Sequence, residues 1–381
     1  MLFGLFLCLC AGRKTQRSQA IWFRYHWRWI LRAWVQAKGE RPERDGPPTQ
    51  PTISRLLATF KPRYLARLMT QYGRNGFSKE WDSYVSKVKA KQKTRRRPRS
   101  ERNPRISRRT YTPARKRLPQ YCLDGKSRSG CISKLTGRTE IDLTIFSPET
   151  TQILAHVTLP DKVGEQVAAA KLIRSVAKQL PAGIFTGDAG ITSPDVVRAI
   201  RAMNHSYLLG LKGNAGKVHD VVADFNWEAI ASKDMFFSEG HGRQEIRTIK
   251  SLPISSFKSG EFDKYADIAR VYSVQSEVYR PKQDELTSEI RFFIADVGAA
   301  KLTAQEALTY VRDHWQQESY HWVKDAVLGE DACPTKNSNG SQTLGLMRAA
   351  VVKVGKSISG SVAKFVGHFS ASPEQAYTDG L

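Results

Sequence analysis

A run of basic residues between positions 87 and 117 constrains the fold of this chain more than any other feature. It holds 15 Lys or Arg residues against the single acid Glu101, and three prolines interrupt it. Mutual repulsion and proline prevent such a segment from burying a core or forming a long helix. We therefore expect an extended linker over 87–118 that tracks phosphates without reading sequence. The side chains expected to contact phosphates there include Arg95, Arg96, Arg97, Arg108 and Arg109.

The excess positive charge lies in the first 118 residues, which end with this linker. Residues 1–118 hold 30 Lys or Arg and 6 Asp or Glu, whereas residues 119–381 hold 30 of each. The net charge of +24 therefore belongs to the first third of the sequence. A cationic module of this kind suits a polyanion, and nucleic acid is the first candidate. The nearly neutral remainder is long enough to form a large core of its own.

Short motifs argue against several other classes of protein. The five cysteines form no CxxC pair, which disfavours a disulfide framework or a structural zinc site. The chain has neither GxxxxGK[ST] nor GxGxxG, so we expect no nucleotide cofactor. The apolar start MLFGLFLCLCAG is about half the length of a bilayer span and lacks an opening basic residue. We expect no membrane partner and a cytoplasmic, nucleoid-associated protein, with secretion as the alternative.

The first 86 residues predict a basic helical region. Apolar and aromatic residues recur at spacings of three and four over 19–38, between arginines, as in a basic amphipathic helix. Thr52 can cap a following short helix, and Gly73 can end a third. Short arginine-rich helices separated by tight turns favour a DNA-binding unit similar to a helix-turn-helix. A small helical bundle with a solvated basic face is the alternative.

From residue 119 the pattern is that of a mixed α/β domain, which we expect to extend to residue 360. Three strands, a helix, a strand, a helix and a strand follow one another, which is the order of a ribonuclease H-like sheet. A mostly β insertion follows before helix returns. The expected elements are strands at 121–124, 141–146, 152–159, 183–188 and 206–211, helices at 165–180 and 193–203, the insertion at about 215–298, helices at 303–326 and 344–354, and a tail over 361–381.

Two aspartates are placed where strands would deliver them to one edge of the sheet. Asp124 stands in LDGK and Asp188 in FTGDAG. The neighbouring glycines allow tight turns that leave both acids open to a ligand. Each aspartate could also be an ordinary turn former, because Asp-Gly is a common turn signal.

A third acid lies on the helix expected at 303–326. A polar stripe about 60° wide, at 100° per residue, contains His314, Glu318, His321 and Asp325. An apolar stripe beside it contains Val311, Trp315, Trp322 and Ala326. Acids set directly beside tryptophans indicate a helix that faces a cleft at the edge of the core, with a surface helix as the alternative.

Asp124, Asp188 and Glu318 together would form a site of three carboxylates. Hard oxygen ligands of this kind suit Mg²⁺ or Mn²⁺ rather than zinc. Two such ions can activate a water or a 3′-hydroxyl and stabilise the leaving oxygen in a displacement at phosphorus. We therefore predict two metal ions and a phosphoryl-transfer reaction.

The chain resembles the DDE transposases of bacterial insertion sequences, specifically their H-repeat-associated group. The matching segments span residues 120–355 in the order of that family. They are LDGKSRSG, FTGDAG, LLGLKGN, GHGRQEIR, VRDHWQQESYHWVKD, GED and LMRAA. The resemblance implies a ribonuclease H-like fold, a divalent metal, and Asp124, Asp188 and Glu318 as catalytic acids and metal ligands. It also suggests supporting roles near DNA or the acids for Lys126, Lys212, Asn214, Arg243, His314 and Trp315.

The sequence thus predicts a DNA transposase that cleaves the ends of an insertion sequence and transfers them to target DNA. Joining two ends requires at least a dimer on double-stranded DNA. One alternative is a noncatalytic DNA-binding protein descended from such an enzyme. Another is a host nuclease that cleaves without strand transfer.

Overall fold

The fold is described from a computed structural model of the chain. It describes residues 1–42, 46–71, 86, 117–132, 136–240, 242–257, 260–333, 335 and 337–378. The predicted linker lies almost wholly outside these residues, as does Gly73. The expectations for those segments stay predictions.

Within the described residues, nine strands form a single mixed sheet in the order β3-β2-β1-β4-β5-β9-β8-β7-β6. Strand β2 runs antiparallel to both β1 and β3, and β4 and β5 continue parallel to β1. The strands are β1 (Gln120–Ile132), β2 (Thr139–Ser147), β3 (Gln152–Leu159), β4 (Ile184–Gly187), β5 (Ser206–Leu211), β6 (Asp234–Gly240), β7 (Arg243–Pro253), β8 (Ile268–Arg280) and β9 (Glu285–Asp296).

The first five strands, in the order 3-2-1-4-5, form the ribonuclease H-like sheet that the sequence predicts. The short strands β4 and β5 are buried along almost their whole length, as expected for parallel strands with helices on both faces. The predicted α/β fold class is confirmed. Strand β1 is longer than the predicted 121–124, because it continues in register with β2 beyond the sheet's core.

The β-rich insertion extends this same sheet. Strand β9 pairs with β5 in antiparallel orientation, and β8, β7 and β6 follow outward as a meander. Pairing with β9 satisfies the backbone groups that β5 would otherwise leave open at an edge. The insertion therefore holds a fixed position relative to the five-stranded core.

Helices cover both faces of the sheet. Helices α4 and α5 pack on one face through a core that includes Tyr121, Leu143 and Phe185. The other face carries the remaining long helices. The helices are α1 (Leu2–Cys10), α2 (Gln16–Lys38), α3 (Gln50–Thr59), α4 (Glu165–Val176), α5 (Pro194–Ala202), α6 (Lys217–Ala223), α7 (Ala304–His314), α8 (Gln316–Ala326), α9 (Ser338–Ser359), α10 (Val362–Ala371) and α11 (Pro373–Thr378), and residues 62–71 are also helical.

The N-terminal helices pack against the C-terminal ones. The apolar helix α1 is buried in a cluster shared with α2, α3, α9 and α10, and Leu5 and Leu7 are fully buried there. The predicted basic amphipathic helix is confirmed as α2. Helix α3 is capped by Thr49, so the expected cap at Thr52 is wrong; Thr52 lies inside the first turn and its backbone N–H bonds the Thr49 hydroxyl.

Two further features concern the ends of the chain and membranes. The stretch from 361, expected as a tail, forms α10 and α11, because Phe365 and Phe369 bury their rings in the same cluster. Among the described residues, every helix is either too short or too polar to cross a bilayer.

The helix expected over 303–326 is two helices, α7 and α8, which meet at Trp315. The predicted apolar stripe is wrong for its second half, because the Trp322 side chain is 64% exposed. The buried face of α8 is instead formed by Gln317, Tyr320 and Lys324. Polar groups can occupy a buried face when they are paired, and Lys324 lies 2.8 Å from Glu330.

Candidate active site

Parallel pairing of β1 and β4 brings the first two acids together. Leu123 pairs with Gly187, so Asp124 and Asp188 follow at adjacent positions where the two strands leave their shared ladder. Alternation along a strand directs Cys122, Asp124 and Thr186 to the face of the sheet that α7 and α8 cover. Asp188 follows the end of β4 as the sequence predicts, whereas Asp124 lies within β1, which continues beside β2, so the two acids meet where the β1–β4 ladder ends.

Glu318 reaches the same place from the first turn of α8. A cleft of about 1130 Å³ is lined by Asp124, Asp188 and Glu318, together with residues of β9 and the loops after β3 and β5. The structure thus brings all three predicted acids into one cleft. The break at Trp315 starts α8 where the cleft opens, which puts Glu318 at its mouth with the side chain exposed.

The acids influence one another electrostatically. Burial, reinforced by the negative charge of Asp188, raises the pKa of Asp124 to about 6. Burial and Asp188 also raise the pKa of Glu318. Concentrated negative charge of this kind disfavours ionisation and favours an added cation.

His314 supplies a positive counter-charge. Its Nε2 lies 3.6 Å from Asp188 Oδ1, and its Nδ1 lies 3.0 Å from the buried hydroxyl of Thr186. Although burial opposes a charged imidazole, the contact with Asp188 helps raise the pKa of His314 to about 10. The same contact lowers the pKa of Asp188. His314 is therefore an imidazolium that holds Asp188 ionised.

Two further side chains of the cleft were not predicted from the sequence. The guanidinium of Arg291 on β9 stacks 4.2 Å from the ring centre of Trp315. Glu165, at the start of α4, also lines the cleft, and its carboxylate lies where a side chain at Gly125 would stand. Only the pairing of β9 with β5 brings Arg291 here, and no local motif marks it. Glu165 could have been suspected from its place at a helix N-terminus after Gly164.

The two lysines with predicted supporting roles lie in different places relative to the cleft. Lys212 lines the cleft and is exposed. Lys126 lies outside it, since its ammonium contacts Asp325 at 2.8 Å, Glu330 at 3.0 Å and Asp331 at 3.1 Å.

Two further predicted residues lie at turns of the described chain. Arg243 is exposed where β6 turns into β7, and Asn214 belongs to a 3₁₀ turn after β5. Arg95, Arg96, Arg97, Arg108 and Arg109 lie outside the described residues.

Helix α8 is fixed to the sheet on both sides of Glu318. The side-chain amide of Gln317 donates to the Thr144 hydroxyl at 2.8 Å, and Thr144 is the cross-strand partner of Asp124. Asp325, next to the last residue of α8, accepts from Lys126 on β1. Both contacts tie the helix that carries Glu318 to the strands beside Asp124.

The three carboxylates of the cleft are the type of oxygen ligand that a hard divalent cation prefers. Asp124, Asp188 and Glu318 offer carboxylate oxygens, and burial together with repulsion among them raises two of the three pKa values. Within the described part of the chain, no three potential ligands stand close enough to form a ready-made metal cluster.

Comparisons with known proteins find relatives among transposases. The family model described as "Transposase DDE domain" matches residues 143–352, which include Asp188 and Glu318 but not Asp124. "Putative transposase YncI" of Escherichia coli O157:H7 is 26% identical over 260 residues, 64% of each chain. "H repeat-associated putative transposase YhhI" of Escherichia coli K12 is 24% identical over 245 residues, 61% of this chain and 62% of that protein. The chain thus spans less than two thirds of these relatives.

Among solved structures, the piggyBac transposase synaptic complex with hairpin DNA is a match. The TM-score is 0.39 at 10% identity, over 68% of this chain and 52% of that one. The family match covers more than half of the 381 residues, and its segment includes the second and third acids of the cleft. The chain belongs to the family of transposase DDE domains.

Proposed function

We propose that this protein is a DNA transposase that cleaves the ends of an insertion sequence and joins them to target DNA. The observation that supports this most directly is the convergence of Asp124, Asp188 and Glu318 on one cleft. Three carboxylates at the edge of a ribonuclease H-like sheet suit phosphoryl transfer. Membership in the transposase family supports the same class of reaction.

Asp124, Asp188 and Glu318 would hold Mg²⁺ or Mn²⁺, two ions in the complete site. Such ions lower the pKa of a nucleophile and neutralise charge on the leaving oxygen. The side chains of the protein contribute orientation and charge. His314 keeps Asp188 ionised, and Gln317 sets the position of Glu318 by anchoring α8 to Thr144.

The reaction has two steps at phosphorus. Water first attacks the phosphodiester at the end of the element, and the bond to the 3′-oxygen breaks. The freed 3′-hydroxyl then attacks a phosphodiester of target DNA, and a new phosphodiester forms while the bond to the target's 3′-oxygen breaks and leaves a 3′-hydroxyl on the target strand. Arg291, Trp315 and Lys212 line the cleft where the phosphate backbone and its bases would lie.

The rest of the chain would hold the DNA. The basic residues 1–86 and the linker 87–118 would bind double-stranded DNA ahead of the catalytic domain at 119–360. Two ends must be held together for joining, so a dimer or larger assembly on DNA is expected. A protein with this function would be located in the cytoplasm, in association with the nucleoid.

Cleavage of duplex DNA tests this proposal. The substrate is a duplex taken from the DNA that flanks the reading frame, with Mg²⁺ or Mn²⁺ added. We expect nicking and joined products from the wild type and neither from Glu318→Gln. Glu228→Gln is the matched control, because it removes an exposed carboxylate outside the cleft.

The other outcomes separate the alternatives. Cleavage without joined products would indicate a host nuclease. Equal DNA binding by the wild type and Glu318→Gln, with no metal-dependent cleavage by either, would indicate a noncatalytic DNA-binding protein.

A further inference from the structure

Helix α2 presents to solvent a face rich in arginine, which also exposes Ile21 and Val35. Arg17, Arg24, Arg28 and Arg32 are all exposed, and at 100° per residue they fall within a stripe about 80° wide. At 1.5 Å per residue the stripe is about 22 Å long. Tyr25, 80% exposed, stands at its edge. We call these five residues the outer face of α2.

The opposite side of α2 is fixed to the protein core. Trp22, Phe23 and Ile30 are buried, and the Trp29 ring packs 6.3 Å from Phe369 and 5.8 Å from Tyr377. The capping box at Thr15 and the left-handed Gly39 define both ends of the helix. The arginines therefore project from a rigid support, so a ligand that binds them does not have to order the helix.

The positive charge of this face is largely uncompensated. Residues 1–39 contain no Asp or Glu. In the part of the chain that the structure describes, Arg17, Arg24 and Arg28 contact no carboxylate, whereas Arg32 lies 3.4 Å from Glu374. Unpaired arginines on a folded surface raise the local potential and attract polyanions.

We infer that the outer face of α2 binds the phosphate backbone of duplex DNA. A line of guanidinium groups matches a row of phosphates, since each group can donate two parallel hydrogen bonds to one phosphate. Contacts to phosphates carry no sequence information, so we expect this contact to be independent of DNA sequence. It identifies which surface of the basic region 1–86 holds the DNA, on a helix packed against the C-terminal helices and apart from the linker and the cleft, and it rests on the proposed function.

The test compares two triple variants with the wild type in the full-length protein. Arg17→Gln/Arg24→Gln/Arg28→Gln removes three charges from the outer face. Lys171→Gln/Arg174→Gln/Lys178→Gln removes three exposed charges elsewhere, at the end of α4 and just beyond it. Binding of a random-sequence duplex is measured by fluorescence anisotropy across a range of salt concentrations. Circular dichroism and thermal unfolding confirm that both variants remain folded.

For the α2 variant we expect the negative slope of log K against log salt to become shallower by about 2 to 3, since each lost phosphate contact contributes about −0.9 to the slope. We also expect at least about tenfold weaker binding for any duplex sequence. The α4 variant should change the slope much less. Wild-type slope and affinity in the folded α2 variant would overturn the inference, as would a loss equal to that of the α4 variant.

Two further measurements distinguish DNA anchoring from catalysis and from membrane contact. If the wild type binds DNA through α2 yet never cleaves it, the proposed function fails while the anchor stands. If the α2 variant loses binding to phosphatidylserine vesicles but keeps wild-type binding to DNA, the face is a membrane contact and the inference fails.

Discussion

The Nε2 atom of His314 lies 3.6 Å from the Oδ1 atom of Asp188, and this contact joins the end of α7 to the edge of the sheet. The imidazole also reaches the hydroxyl of Thr186, two residues before Asp188. A single side chain therefore sets both the charge of Asp188 and the distance between helix and sheet at the candidate site.

The first prediction concerns the pH dependence of this pair. The pKa of His314 is about 10 in the folded protein, against an ordinary value of about 6.5 in the unfolded chain. Its stabilising contribution is therefore complete below about pH 6.5 and is lost as the pH rises toward 10. We expect the difference in unfolding free energy between wild type and His314→Gln to shrink over that range, as measured by urea denaturation. When Asp188→Asn is also present, replacing His314 by Gln should change the free energy of unfolding less than it does in the wild type at each pH below about 10. A difference between wild type and His314→Gln that grew with pH would contradict the assignment.

The second prediction concerns metal and acid. The pKa of Asp124 is raised to about 6, chiefly by burial, so protons compete with a cation for its oxygens. We expect the rate of DNA cleavage to decrease below about pH 6 at low Mg²⁺. The pH of this decrease, the acidic limb of the pH profile, should shift to lower values when the Mg²⁺ concentration is raised. Chelation by EDTA should abolish cleavage. The measurement is kcat/KM against pH at two metal concentrations, and an acidic limb insensitive to Mg²⁺ would count against Asp124 as a ligand.

The third prediction tests the anchor at the end of α8. Lys126 contacts Asp325, Glu330 and Asp331, and Glu330 is almost fully buried. Lys126→Met removes one of the two ammonium groups that contact buried Glu330, which keeps Lys324 at 2.8 Å, so we expect about 1.5 to 3 kcal/mol of lost stability in urea denaturation.

Arg198→Gln provides the comparison for Lys126→Met. It breaks the exposed pair with Asp195 and should cost less than about 1 kcal/mol. Equal losses in the two variants would mean that the Lys126 contacts are no stronger than a surface pair.

The fourth prediction uses Gly125. A β-carbon there would overlap the Glu165 carboxylate and lie 3.1 Å from Ile141 Cγ2. We expect Gly125→Ala to cost about 1 to 3 kcal/mol by forcing Glu165 out of its position. Adding Glu165→Ala should recover much of that loss in thermal unfolding. Failure of the double variant to recover would show that the strain lies with Ile141 instead.

The fifth prediction contrasts two aromatic residues of α8. Tyr320 is 5% exposed and its ring lies 5.0 Å from that of Phe146, whereas Trp322 is 64% exposed. We expect Tyr320→Ala to lower the free energy of unfolding by about 3 kcal/mol and Trp322→Ala by less than about 1 kcal/mol. A large loss from Trp322→Ala would favour the orientation that the sequence pattern indicated.

Local patterns in the sequence were sufficient for the α/β class and for the choice of acids. Alternating and three-to-four spacings report directly on strands and helices, because burial of one face follows those periods. Asp124 and Asp188 follow recognisable strands, so their meeting at one sheet edge could be predicted. The basic helix α2 was visible for the same reason.

Tertiary packing alone decided the rest. The hydrophobic period indicated Trp322 as buried, but paired polar groups let Gln317 and Lys324 take the buried face of α8. Arg291 joined the cleft because β9 pairs with β5, although a long insertion separates these two strands in the sequence. Such pairings depend on the free energy of the whole packed molecule, whereas sequence periods reflect only the preferences of neighbouring residues.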